Sequence, residues 1–295
     1  MRHAFLIMAH QEFELLKELM ETLDDERCDI FLHVDIKVKD FDPNQFKHIL
    51  KKSRLFFAER LNVAWGGYSF VQCEYNLFKL AHSIENYGYY HLISGVDFPV
   101  SHREEFYDFF KEKSDTIYLS FWDEKLNKER SNRFRYYHFL QEKIGRNKNI
   151  YRFIETLTIP FQRVFVDRRK KHPEIQYKGG SNWCSLSAEA CDYLVSKEDL
   201  IEDLFKNTCT CDEFFVHTII YNSPLYKKVY ENKEQGPCGN ALRYIDWQRG
   251  RPYSFTLADY EELIHSDRFF ARKVQYKTDE DRQLIHKLKE YYNEA

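Results

Sequence analysis

Asp212 and Glu213 stand side by side in Cys211-Asp212-Glu213-Phe214-Phe215, at the head of an apolar run with helical spacing over Asp212 to Tyr221. Paired acids at a helix start have a plain structural reading, because the helix dipole favours anions there. They also have a chemical one, since a placed carboxylate can take the proton from a hydroxyl. Downstream, Arg249, Arg251 and Lys273 fall within one stretch, RGRPYSFTLADYEELIHSDRFFARK. Read plainly they are surface cations. Read chemically, a pair of fixed cations can neutralise a leaving diphosphate, the task a divalent metal performs in many nucleotide-sugar enzymes.

A metal in that role needs a DxD-like triplet after an inner strand. After the inner strands the sequence offers Asp40-Phe41-Asp42 ahead of Pro43 in a polar loop, while Asp97 stands alone at the better place. No metal and no cofactor are therefore expected. The chain has no HExxH, GxSxG, GxGxxG or GxxxxGK[ST], which leaves zincin, serine-nucleophile, dinucleotide and P-loop chemistry without a motif. Trp65, Trp183 and Trp247 could each stack on a sugar ring. Each also reads as core, and only its grouping with polar candidates argues otherwise.

Alternating strands and helices position these residues. Ala4 to Ala9 is a continuous apolar run, as expected of a strand buried on both faces. Leu16, Leu19, Met20 and Leu23 mark a helix near 12 to 24, and Ile30 to Val34 a second strand, which completes a right-handed βαβ opening. A short strand at Leu55 to Ala58, a glycine loop at Gly66-Gly67, a helix from there past Ile84, a strand at Tyr89 to Ile93, a helix near 102 to 113 and a strand at Thr116 to Leu119 continue the alternation. Beyond these, Ser181 to Leu186 reads as a strand, and Ala258 to Ile264 and Arg282 to Tyr292 as closing helices. Ligands of such sheets gather at the carboxyl ends of the strands. Those ends place His10, Asp35, Gly66 and Asp97, with Ser94 beside the last, where a nucleotide would lie.

Length and composition bound the rest. The 295 residues carry no Pro, Gly or Ser-rich linker, and their 43% hydrophobic and 31% charged shares are those of a globular chain. One α/β domain over 1–295 is expected: a nucleotide-binding half at 1–125, a basic helical insertion at 126–172 and an acceptor and catalytic half at 173–295. The net charge of −3 hides a segregation: residues 128–171 hold 13 Lys and Arg against 4 Asp and Glu, about +9, with about −12 elsewhere. Interleaved with aromatics, this arm reads either as a solvated helical arm or as a face for an anionic partner such as a membrane surface. Nucleic acid is disfavoured by the acidic remainder. The N-terminus is too brief in apolar length to span a membrane, and seven cysteines without CxxC spacing suggest neither disulfides nor zinc.

Several segments in order carry a family resemblance: FLHVDIK at 31 to 37, VAWGGYSFVQCEYNLFKLA at 63 to 81, HLISGVDFPV at 91 to 100, GGSNWCSLS at 179 to 187, CDEFFVHTIIYNSP at 211 to 224, LRYIDW at 242 to 247 and SDRFFARK at 266 to 273. Together they resemble the core-2/I-branching β-1,6-N-acetylglucosaminyltransferase family, which includes the peptide O-xylosyltransferases. The resemblance implies a GT-A-like fold, inversion at the anomeric carbon, a UDP-sugar donor carrying GlcNAc or xylose, a glycan or lipid-linked glycan acceptor, and no metal. It makes Glu213 the catalytic base, with Asp212, Trp183 and Trp247 on the acceptor side. Lys273 falls on the diphosphate beside Arg251, or else Arg249, and His10 and Asp35 on the uridine. Unlike the animal members, the sequence shows no anchor, stem or disulfide pattern. That implies a bacterial-type, cytoplasmic enzyme of surface-polysaccharide synthesis with peripheral membrane contact through 128–171. The alternatives are a metal-dependent GT-A transferase and a non-catalytic glycan- or nucleotide-binding module.

Overall fold

The computed structural model describes residues 1–146, 149–231 and 240–294. Its centre is a five-stranded sheet in the order β3-β2-β1-β4-β6, formed by β1 (His3–Ala9), β2 (Cys28–Val34), β3 (Leu55–Phe57), β4 (Tyr89–Ser94) and β6 (Ser185–Ser187). The first four strands run parallel, and β6 closes one edge antiparallel to β4. β5 (Asp97–Pro99), β7 (Arg243–Ile245) and β8 (Phe270–Arg272) form a second sheet in the order β5-β8-β7. This is the α/β architecture that the resemblance implies, a parallel-rich sheet flanked by helices.

The continuous apolar run of β1 forms because both of its faces are covered. Successive side chains point to opposite faces, so Ala4, Leu6 and Met8 enter one core and Phe5, Ile7 and Ala9 the other. The first core is roofed by α2 (Tyr68–Ile84), α8 (Ala188–Val195), α9 (Glu198–Phe205) and α10 (Phe215–Tyr221). The second is covered by α1 (Phe13–Leu23), α3 (Arg103–Glu112) and the C-terminal helix Asp279–Asn293, which packs on α1 and β5. On α1, Leu15, Leu16, Leu19, Met20 and Leu23 make the buried stripe that the spacing predicts.

Three expected elements differ. Thr116 to Leu119 is not a strand: Ile117 and Tyr118 each make one isolated bridge, to Val229 and to Ser185. Neighbouring residues thus pair with different segments, and no ladder can run. The strand expected from Ser181 begins only at Ser185, because Gly180 and Ser181 hydrogen-bond instead to loop carbonyls of Glu213 and Ser120. The helix expected from Asp212 is divided into a 3-10 turn, Cys211–Glu213, and α10. Thr210 enters that turn in the left-handed region and Phe214, at φ −125°, interrupts it. The basic arm holds more helices than the one or two its pattern suggests: α4 (Glu124–Glu129), α5 (Asn132–Arg135), α6 (Gln141–Ile144) and α7 (Ile150–Phe165), then a 3-10 turn Arg168–Lys171. Asp42 of the Asp-Phe-Asp triplet caps a 3-10 turn, accepting from the Asn44 amide at 2.9 Å. Cys28, Cys73, Cys184, Cys191, Cys209 and Cys211 are free thiols, and Cys238 lies outside the described residues.

Buried imidazoles thread the amino-terminal half of the sheet. His3 Nδ1 lies 3.0 Å from His91 Nε2, and His91 Nδ1 lies 2.8 Å from Ser185 Oγ, which joins β1, β4 and β6. Desolvation holds His3 down to about 3 and His91 well below the usual histidine value, the latter pushed further by His3 and Arg243. His217 on α10 is likewise held to about 3, chiefly by burial. The unfolded chain takes up protons at these sites below about pH 6.5 while the folded chain stays neutral. Folding stability should therefore fall as pH drops from about 6.5 toward 3, by up to about 1.4 kcal/mol per pH unit for each histidine. Urea midpoints measured across that range should decline for the wild type and decline less steeply for His217→Gln.

Candidate active site

The carboxyl ends of β1, β2 and β4 meet as the alternation predicts, with the Asp35 amide on the Ala9 carbonyl at 3.1 Å and the Gly95 amide on the Met8 carbonyl at 2.9 Å. Asp35 is buried, accepts from the Lys37 amide at 2.9 Å and pairs with Lys37 Nζ at 3.1 Å. His10 sits on the rim, exposed. Its imidazole is lowered chiefly by desolvation, drawn back up by Asp35 and pushed down by Arg146, Lys37 and Arg272. His10, Asp35, Lys37, Arg146 and Arg272 thus share one electrostatic neighbourhood.

Ser94 and Asp97 close a tight turn after β4, the carboxylate accepting from the Ser94 amide at 2.8 Å and from its hydroxyl at 3.0 Å. Asp97 is fully buried, which demands a partner for its charge. The antiparallel register of β5 and β8 sets Arg272 opposite it, and the guanidinium reaches the carboxylate at 2.7 Å and also bonds the Ser94 hydroxyl. The same guanidinium lies 4.2 Å over the Trp183 ring. Trp183 is therefore a buried platform roofed by a cation, not the open acceptor-stacking face expected of it. Trp247 is 57% exposed just beyond β7 and keeps a free face.

The segment that carries Asp212 and Glu213 is fixed by glycines. Gly66, at φ +69°, accepts the Thr210 amide at 2.7 Å on its carbonyl, and the buried Cys211 thiol faces the Gly67 carbonyl at 3.5 Å. On the other side the Gly180 amide donates to the Glu213 carbonyl at 2.9 Å. Any Cβ on Gly180 would collide with the Ser120 carbonyl oxygen and the His217 ring. This contact requires the second glycine of GGSNWCSLS, and a Cβ on the first, Gly179, would meet the Trp122 and Phe214 rings. From there the chain touches both sides of the site: Asn182 donates to Glu74 Oε1 at 3.0 Å, and Trp183 lies under Arg272.

The two acids diverge. Asp212 points inward, its Oδ1 shut from solvent and without a hydrogen-bond partner among the described residues. Desolvation, then the Glu213 charge, push its carboxyl up to about 7. Glu74 of α2 is buried nearby and raised well above the usual carboxylate range by desolvation and by Asp212, with Oε2 unpartnered. Glu213 instead looks outward, 28% exposed. Arg130 at 3.3 Å and Arg133 both bind its Oε2, so Oε1 stays open among the described residues. Both guanidiniums lie over Trp122, at 4.1 and 5.9 Å from the ring centre.

The downstream cations divide as well. Arg249 is bound to Asp246, to Asp259 at 2.5 Å and to Glu262 at 3.0 Å, so it braces the 3-10 turn and helix over Leu257–Ile264 and is not a free phosphate ligand. Arg251 and Lys273 make no side-chain ion pair among the described residues. Lys273 directly follows Arg272, and backbone bonds to Tyr253 and Phe255 seat it. Arg243 is wholly buried, donating to Ala241 and Cys184 carbonyls at 2.8 and 2.9 Å and to Ser185 Oγ at 3.2 Å, and burial draws it down to about 10. Sequence reasoning missed Arg272, Arg243, Glu74, Trp122, Arg130 and Arg133. The first three lie inside quoted motifs, whereas the last two lay in an arm read only for its net charge.

The Core-2/I-Branching enzyme family model matches residues 3–268. A xylosyltransferase of Ciona intestinalis is 24% identical over 297 residues, covering 93% of this chain and 32% of the relative. Xylosyltransferase sqv-6 of Caenorhabditis briggsae is 23% identical over 278 residues, covering 84% of this chain and 32% of that protein. The chain thus spans about a third of the length of these relatives.

Arg272→Met should leave the Asp97 carboxylate buried and unpaired, and cost about 3–5 kcal/mol. The double variant Asp97→Asn/Arg272→Met should recover part of that loss in a denaturant titration. If the double variant is no more stable than the single one, Arg272 is not held chiefly by its pairing with Asp97.

Proposed function

We propose, from the premise that this chain belongs to the Core-2/I-branching enzyme family, that it is an inverting glycosyltransferase drawing on a UDP-sugar, with Glu213 as its base. The observation that carries the reading is the posture of Glu213: a carboxylate half in solvent, gripped by two arginines on one oxygen and open on the other. An acceptor hydroxyl arriving at Oε1 would meet an acceptor-only atom whose partner oxygen is already fixed. Asp212 turns its Oδ1 away from solvent and offers an arriving hydroxyl less access than Glu213 does.

In a single in-line displacement the acceptor oxygen forms its bond to the anomeric carbon while the bond from that carbon to the β-phosphate oxygen breaks. The hydroxyl proton passes to Glu213, and the electron pair of the broken bond leaves on UDP. Lys273 and Arg251, which make no side-chain ion pair among the described residues, are the groups we assign to that charge. His10 and Asp35 lie at the strand ends where the uridine side would rest. The likeness to xylosyltransferases favours xylose, the motif resemblance GlcNAc, and the acceptor is a glycan or lipid-linked glycan hydroxyl of the kind built in bacterial surface polysaccharides. In this reading fixed cations do the work of a metal.

UDP release from a panel of UDP-GlcNAc, UDP-xylose, UDP-glucose and UDP-galactose tests the reading and orders the donors. Glu213→Gln should lose about 10² to 10⁴ in turnover with UDP affinity unchanged; a fully active variant would remove the assignment. Excess EDTA should leave the rate unaltered, whereas loss restored by Mn²⁺ would favour a metal-dependent transferase.

A further inference from the structure

The arm contains a helix whose polarity is reversed. On α7, residues advance about 100° each, which places Ile150, Phe153, Ile154, Leu157, Phe161, Val164 and Phe165 within about 60° of one line. All are exposed, Phe161 at 75%, Val164 at 73% and Phe165 at 85%. The opposite face is the one turned to the protein, and apart from the half-buried Ile159 its contacts are polar. Glu155 is buried there, accepting from the Leu140 amide at 2.9 Å and facing His138 at 3.0 Å, and Gln162 exchanges hydrogen bonds with the Tyr137 backbone at 2.7 and 2.9 Å. An amphipathic helix in water normally does the reverse. Phe139, stacked on Tyr137, is a further exposed aromatic ring of the arm. A contiguous apolar surface of this kind marks an interaction site.

We propose that α7 lies flat on an anionic lipid surface and seats the protein there through this stripe. Its 16 residues span only about 24 Å, and among the described residues no helix is long and apolar enough to cross a membrane. The helix therefore lies on a bilayer, with side chains entering the headgroup and acyl boundary. Charge decides the occupant. The surrounding arm, 128–171, carries about +9, so symmetric pairing with a second copy would press two such arms together, whereas anionic headgroups complement them. Several cations of the arm are already bound within the protein. Arg168 is spent on the carbonyls of Leu204, Lys206 and Asn207, Arg169 on Asp167 and Lys171 on Asp203. Arg152, Arg163 and Lys170 make no ion pair among the described residues; by the same 100° advance Arg152 and Arg163 stand exposed on the polar side of α7, away from the acyl region that the stripe would enter.

The test is co-sedimentation of the full chain with phosphatidylcholine vesicles, with and without about 30% phosphatidylglycerol. Binding is expected on the mixed vesicles and should be weaker on phosphatidylcholine alone. Phe161→Glu/Val164→Glu, at two positions where an added charge meets only solvent, should keep its circular dichroism spectrum and lose at least about tenfold in partition. Full retention by that variant, or no binding of the parent to mixed vesicles, would overturn the proposal. So would a lipid-free dimer in light scattering that the same two substitutions dissolve, since a second copy would then own the face.

Discussion

Everything about the candidate site depends on a backbone crossing that tolerates no side chain. At Gly180 the chain passes so close to the Ser120 carbonyl and the His217 ring that a Cβ has nowhere to go, and the Gly180 amide is spent on the Glu213 carbonyl. That one approach sets the depth at which the turn Cys211–Glu213 sits. From it follow the inward position of Asp212, the outward position of Glu213, and the placement two and three residues on of Asn182 against Glu74 and of Trp183 beneath Arg272. Glycine at this position is a packing requirement, since φ there is ordinary and only the volume is not.

The separation of the two acids follows from the same crossing. Asp212 turns its Oδ1 away from solvent, and its carboxyl is pushed up by desolvation and by the Glu213 charge, whereas Glu213 looks outward with two guanidiniums on one oxygen. The sheet shows a matching division between its ends. The amino-terminal half holds the hydrogen-bonded imidazoles of His3 and His91 and the buried Asp29, whose carboxylate accepts from Arg2, Arg54 and Tyr87. The carboxyl-terminal end carries the exposed His10 beside the buried, paired Asp35.

What could be read from the sequence was whatever repeats at a regular spacing. The buried strands β1, β2 and β4 and the stripe of α1 show in the apolar pattern because one local rule, period 2 or period 3.6, governs every residue in them. The strand-end residues His10, Asp35, Ser94 and Asp97 came with the strands. Illegible were the features made by a single long-range contact. Thr116 to Leu119 has the composition of a strand, yet its neighbours pair it residue by residue to different segments. Arg249 looked as free as Lys273 until three acids closed on it. Arg130 and Arg133 find Glu213 across 83 and 80 residues, a distance no spacing rule reaches. α7 has a clear helical period, but period says nothing about which face looks inward, and there the usual assumption fails.

The origin of that pair of arginines has one more consequence. They rise from the arm, and the carboxylate they grip belongs to the far half of the chain. Their stacking on Trp122 and the bond of Gln141 to the Trp65 carbonyl tie the arm to both neighbouring segments. The arm is consequently not a detachable appendage: a protein trimmed of 126–172 would lose the clamp on Glu213 along with the exposed helix. For anyone grafting or shortening this fold, the boundary of the working unit runs around the arm.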